Sequence, residues 1–170
     1  TFFARSIDVD LSVAKEVMVE AARHKGASVV EILQNCVIFN DKIHSFVADK
    51  EFRAERTIHL KHGEKMLFGK NNEKGLVLDG LKLKVVTIGK NGVTLDDILT
   101  HDVTDQDGTL HRMLAMMDGH ELPLAVGVIR SVEAPVYDQE VKAQVESVRA
   151  QTNKRTLREY LLTRDTWEVK

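Results

Sequence analysis

Residues 1–33 read as strand, helix, strand, and that order constrains the fold more than any other feature of the chain. Thr1-Phe2-Phe3-Ala4-Arg5-Ser6-Ile7 is a β-like run rich in Phe and Ile. Asp8 or Asp10 then stands where a helix cap belongs, ahead of Leu11, Ala14, Val17, Met18, Ala21 and Ala22 at spacings of three and four. Lys15, Glu16, Glu20 and Arg23 fall on the opposite face of that helix, and Lys25-Gly26 ends it, with Gly26 suited to a left-handed position. Ala27 to Leu33 is a compact apolar strand. A strand, a crossover helix and a second strand form a right-handed βαβ unit, so the expected class is α/β with a parallel sheet.

The loop after the second strand carries the chemical interest. In open parallel sheets ligands collect beyond the carboxyl ends of the strands. Here that loop is Gln34-Asn35-Cys36-Val37-Ile38-Phe39-Asn40-Asp41, and Cys36 is the single cysteine of the chain. One cysteine excludes an internal disulfide and fits a reducing cytoplasm. By residue type alone, a lone cysteine is an inert buried hydrophobe more often than a reactive group. A nucleophile needs a low-pKa setting and a base, and a metal ligand needs companions that would have to come from outside these residues.

The rest of the chain reads as a mixed α+β region. Thr57 to Lys61, Lys65 to Phe68, Gly75 to Leu78 and Leu81 to Ile88 alternate between turn signals and predict a small antiparallel meander. Leu95 to His101 predicts a short helix leading into a strand, and Gly108 to Met117 a helix with Leu110, Met113, Leu114 and Met117 on one side. Leu124 to Arg130 reads as a strand and Tyr137 to Leu162 as mostly helix, with Val141, Val145 and Val148, then Leu157, Tyr160 and Leu161, as buried stripes. A net charge of −2 gives no reason to expect nucleic acid or an anionic membrane as partner. No apolar run approaches the roughly 18 residues of a membrane span, and the first residues do not read as a signal peptide. The chain lacks an initiator Met and opens directly on a strand, as expected either after natural processing or at the cut end of something larger.

Other candidate groups carry weaker signals. His59 and His62 are three apart in a strand-and-turn context and should point in different directions. His44, a few residues past the strand end, is the better active-site candidate, whereas His101, His111 and His120 form no spaced set and His24 is a helix-end residue. Gly69-Lys70-Asn71-Asn72 lacks the Gly-Lys-Ser/Thr that opens a phosphate-binding helix and reads as a hairpin turn. Asp118-Gly119-His120 reads as a turn, and Met113, Met116 and Met117 as core filler.

Three segments together resemble the β subunit of 2-oxoacid:ferredoxin oxidoreductases, nearest to the 2-oxoglutarate type: Arg5-Ser6-Ile7-Asp8, Ala22-Arg23-His24-Lys25-Gly26, and Val30 through Asp41. The likeness continues through Leu60-Lys61-His62-Gly63-Glu64, Phe68-Gly69, Thr100-His101-Asp102, Val128-Ile129-Arg130, Pro135-Val136-Tyr137-Asp138 and Arg164-Asp165-Thr166-Trp167. The Gln-Asn-Cys-x-x-Phe-Asn run is its most specific piece. The resemblance implies that residues 1–41 are the carboxyl-terminal part of a thiamine-diphosphate-binding domain and residues 42–170 a β-subunit extension. It implies that Cys36 is the fourth thiolate ligand of a [4Fe–4S] cluster, the other three cysteines lying in the family's amino-terminal half. Because cluster potential depends on charge, exposure and hydrogen bonds to sulfur, Asn35 and the backbone around Cys36 are the candidate tuners.

The same resemblance implies, for the whole assembly, oxidative decarboxylation of a 2-oxoacid with coenzyme A, electrons leaving through the cluster to ferredoxin, and an α subunit as partner. The family holds thiamine diphosphate and Mg²⁺ through a Gly-Asp-Gly run and a later Asn. Neither occurs at a suitable place here, so no residue of this chain inherits those ligands and the piece alone is expected to bind neither cofactor tightly. The alternative from another class is a non-catalytic α/β interaction module with Cys36 buried and inert. A pyruvate- or branched-chain-specific relative differs only in substrate.

Overall fold

The computed structural model describes residues 1–151, 156–162, 167 and 169. Residues 1–134 form one compact unit and residues 135–170 a second. The opening βαβ is present as β1 (Phe2–Ile7), α1 (Leu11–Arg23) and β2 (Ser28–Leu33), with β1 and β2 parallel and Ile7 opposite Leu33. Asp10 caps α1, its carboxylate accepting from the Val13 amide at 3.3 Å.

That cap sets the phase of α1 differently from the spacing argument. Val13 and Val17 are the residues buried against the sheet, while Leu11 and Met18 are 78% and 53% exposed. The contact stripe therefore runs along i, i+4 from Val13 to Val17 and on to the partly buried Ala21, a narrower face than six apolar residues suggested.

Beyond β2 come two short helices, α2 (Ser45–Ala48) and α3 (Lys50–Arg56), ahead of the runs expected to form the meander. Asp49 caps α3 through the Glu51 amide at 2.9 Å. Next come β3 (Thr57–Leu60), β4 (Leu67–Phe68), β5 (Lys74–Asp79) and β6 (Lys82–Thr87), then a 3₁₀ turn at Leu95–Asp97, α4 (Thr109–Ala115) and β7 (Leu124–Ser131). The expected four-strand meander is corrected to three: β4-β5-β6 form the small antiparallel sheet, and β3 leaves it to pair parallel with β7. The physical reason is burial of one face of β3. Ile58 is fully buried and Leu60 nearly so, both on the same side of the strand and both in the cluster shared with Leu114 and Ile129, whereas His59 on the other side stays exposed.

The main sheet has the order β2-β1-β7-β3, with β7 antiparallel to β1. Position 41 falls inside this compact unit, since β3 and β7 share a sheet with β1 and β2. One apolar cluster joins Phe2, Ala4 and Val126 of the sheet to Val13 and Val17 of α1. A second joins Ile58, Leu60 and Ile129 to Leu114 of α4 and to Phe68 and Leu76 of the small sheet. The fold is thus α/β, a sheet covered on both faces.

The second unit contains α5 (Tyr137–Gln151) and α6 (Leu157–Leu161). The stripes expected to be buried are not: Val145 is 43% and Leu157 76% exposed, and neither helix has a buried residue among those described. Arg164, Asp165 and Thr166, and positions 152–155 of the expected helix, lie outside the described residues. Among the described residues no helix is long and apolar enough to cross a membrane.

Candidate functional site

The loop from Gln34 to Lys42 leaves the carboxyl end of β2, where a parallel sheet gathers its chemistry. Its base is tied to the β1 end by Asp8, whose amide donates to Leu33 O at 3.0 Å and whose carboxylate accepts from the Asn35 amide at 3.3 Å. The Asn35 side chain then closes the loop. Its Nδ2 donates to Asp41 at 3.0 Å and its Oδ1 accepts from the Lys42 amide at 2.7 Å. Lys42 takes a positive φ of 63° at this closure, a position an L residue occupies only when its surroundings hold it. Within the loop the Asn40 amide donates to Cys36 O at 2.9 Å, folding residues 36–40 into a tight turn.

This turn aims backbone donors at the sulfur. The amides of Phe39 and then Ile38 hydrogen-bond Cys36 Sγ and hold the thiol below its ordinary pKa range. Cys36 is partly exposed rather than buried. Val37, Ile38 and Phe39 around it are 74%, 84% and 90% exposed, an apolar rim of a kind that soluble surfaces seldom leave uncovered. A thiolate with amide donors and an apolar surround suits metal ligation. Among the described residues no group of three or more His, Cys, Asp or Glu could hold a metal ion, so any metal on Cys36 takes its remaining ligands from elsewhere.

Beside the loop lies a cleft of about 330 Å³ flanked by Leu33 and Ile43, the residues just outside the two ends of the loop. His44 and His120 line it, with Phe46 stacked on the His120 ring at 4.7 Å between centroids. Its floor includes Arg5, only 7% exposed, which donates to Glu31 at 2.6 Å and to the Ala115 and Met117 carbonyls at 2.7 and 3.2 Å. With these acceptors taken, Arg5 is a strut between β1 and the end of α4 rather than a free cation. Strand register carries this pair in the sequence, since Arg5 and Glu31 stand opposite one another once the βαβ is aligned.

The other sequence candidates are scattered. His59 and His62 diverge as expected, toward Glu16 at 3.4 Å and Asp102 at 3.5 Å. Asp118-Gly119-His120 is a turn closed by the Asp118 carboxylate on the His120 amide at 2.9 Å. Gly69-Lys70-Asn71-Asn72 precedes β5 as a turn with Asn72 at positive φ. Met117 is buried, but Met116 is 84% exposed at the cleft. Spacing missed one feature, the buried pair His101 and His111, whose rings meet edge to face at 6.1 Å. His101 Nε2 bonds Val128 O at 2.9 Å, and its Nδ1 is buried without a partner. Only the strand register of β7 reveals it.

No family model matches the chain, and no solved structure matches it. A 2-oxoglutarate oxidoreductase subunit, KorB, of Mycobacterium tuberculosis is 38% identical over 173 aligned residues, taking in 99% of this chain and 45% of that protein. The chain thus spans about half the length of the curated relative it matches. The likeness to that subunit runs from one end of this chain to the other.

Proposed function

We propose that this chain is the cluster-binding part of the β subunit of a 2-oxoacid:ferredoxin oxidoreductase, acting on 2-oxoglutarate, and that Cys36 supplies one thiolate of its [4Fe–4S] cluster. The observation that carries the reading is the sulfur itself: partly exposed, at the end of a parallel strand, with two backbone amides directed at it. The cluster, when bound, supplies one-electron transfer between the site of 2-oxoacid oxidation and ferredoxin. The residues of this chain do the rest by placement. The Ile38 and Phe39 amides favour the thiolate and lower the charge density on its sulfur, a direction that raises a cluster's reduction potential. Asn35 and Asp8 keep those amides in line, and Val37, Ile38 and Phe39 keep water from the sulfur once covered.

The remaining ligands, thiamine diphosphate and Mg²⁺ belong in this proposal to the part of the subunit that the chain does not span, and coenzyme A, ferredoxin and an α subunit are the proposed partners. The open side of β2 supports that division. β2 is an edge strand of the main sheet, parallel to its neighbour, with Val29 and Ile32 58% and 45% exposed on opposite faces. Natural sheets protect such edges with charge, proline or a covering element; β2 has neither lysine nor proline, and its one charge, Glu31, is spent on Arg5. The test is Cys36→Ala in the intact subunit: iron content falls well below that of the wild type and visible absorption and ferredoxin reduction are lost. A full iron complement in that variant contradicts the assignment.

A further inference from the structure

On the α4 face of the main sheet, apart from the Cys36 loop, lies a cavity of about 430 Å³. Phe3, Ala115 and Ile129 make its apolar wall, and Arg112 and Arg130 line it without any carboxylate. Arg130 is held rigidly by neutral acceptors. Its Nη1 donates to Asp105 O and to His111 Nδ1, each at 2.8 Å, and its Nη2 donates to Gln106 O at 3.3 Å. His111 donates in turn through Nε2 to Asp102 O at 2.7 Å, so its ring is a spacer that fixes the guanidinium. Nothing in this set neutralises the charge, and Nε of Arg130 keeps a proton with no acceptor among the described residues.

The second guanidinium is also unspent. Arg112 is exposed and makes no ion pair or side-chain hydrogen bond among the described residues. Asp107 senses both arginines electrostatically, but its Oδ1 is taken by the Thr109 amide and hydroxyl at 3.0 and 2.7 Å and it does not line the cavity. Gly108 leaves the approach open: a Cβ there would sit 3.3 Å from Arg130 Nη1. A cavity with an apolar wall, two cations of which one is preset, and no anion of its own selects for a ligand with an apolar body and one negative group.

We propose that this cavity binds a small apolar monocarboxylate, its body against Phe3, Ala115 and Ile129 and its carboxylate between Arg112 and Arg130. Ligand-observed ¹⁹F NMR of 4-fluorobenzoate with the intact subunit tests it, with 4-fluorobenzamide as the neutral control. The acid binds about tenfold or more tightly than the amide, as a charge-assisted contact requires. Arg112→Gln, at an exposed position, removes that preference, and Ala115→Trp fills the cavity and removes binding of both compounds. Equal binding of acid and amide, an unchanged preference in Arg112→Gln, or no line broadening at about 10 mM would overturn the proposal, whatever Ala115→Trp does to folding. The readout needs neither iron nor turnover, so its failure is separate from a failure of the Cys36 assignment.

Discussion

Two backbone protons and one amide side chain decide what Cys36 can be. Asn35 spans the loop from Asp41 to Lys42 and so fixes the amides that face the sulfur. In the intact subunit Asn35→Ala should leave iron bound but speed its loss to a chelator several-fold, because each hydrogen bond lost loosens the turn by roughly 0.5–1.5 kcal/mol; unchanged release kinetics would show that Asn35 plays no positioning part. His101 offers a second residue-scale prediction. Burial holds its pKa below the ordinary histidine value, so the unfolded chain takes up this proton first as pH falls. The neutral ring's contribution is fully present above about pH 6.5 and is lost progressively below it. Denaturation midpoints measured between about pH 8 and 5 should therefore drop, and His101→Leu should flatten that slope while costing about 1 kcal/mol at pH 8 from the lost bond to Val128 O. An identical slope in the variant would locate the effect elsewhere; His24, also lowered by burial, contributes part of it. The place of Cys36 at the end of a parallel strand was legible in the sequence because the βαβ pattern of residues 1–33 puts that loop there. The His101–His111 pair was not, because β7 brings Val128 and Arg130 to them from 27 and 19 residues away.

Among the elements, β7 is the one the rest of the sheet depends on, and Gly127 is why. Its φ is +96°, and a Cβ there would lie 2.6 Å from Leu60 O and 2.9 Å from the His59 ring. Gly127→Ala should destabilise the first unit by about 1–3 kcal/mol from backbone strain alone, with the clash against β3 adding to it. Thermal or urea unfolding of the variant checks this, and a midpoint equal to that of the wild type would show that β3 and β7 can separate at no cost. The same glycine explains a misreading. Thr57 to Lys61 alternates like its neighbours downstream, so local pattern groups it with the meander, yet a close-packed partner 67 residues later in the chain draws Leu60 into the main sheet. α1 shows the converse: its existence and ends were readable from the apolar spacing and its cap was narrowed to Asp8 or Asp10, while its buried face depended on how it lies on the sheet. In α5 the valine stripe is a true periodic signal that the described residues of its unit leave exposed.

At the scale of the molecule, the sheet is protected on its faces and open along β2, and the candidate sulfur sits at the end of that open strand. If the remainder of the subunit covers this edge, Val29→Lys in the intact subunit should cost well above the roughly 0.5 kcal/mol typical of a surface change; a thermal midpoint within error of the wild type would mean the edge stays bare. The α/β class followed from residues 1–41 more than from any later segment, because there local propensity and topology agree, while the likeness to a 2-oxoglutarate oxidoreductase subunit extends over 99% of the chain. Anaerobic alkylation with iodoacetamide, followed by mass spectrometry of the Cys36 peptide, tests the thiolate assignment most directly. In the iron-loaded intact subunit Cys36 should remain unmodified and become labelled once a chelator strips the iron; full labelling with the iron content unchanged would contradict the account.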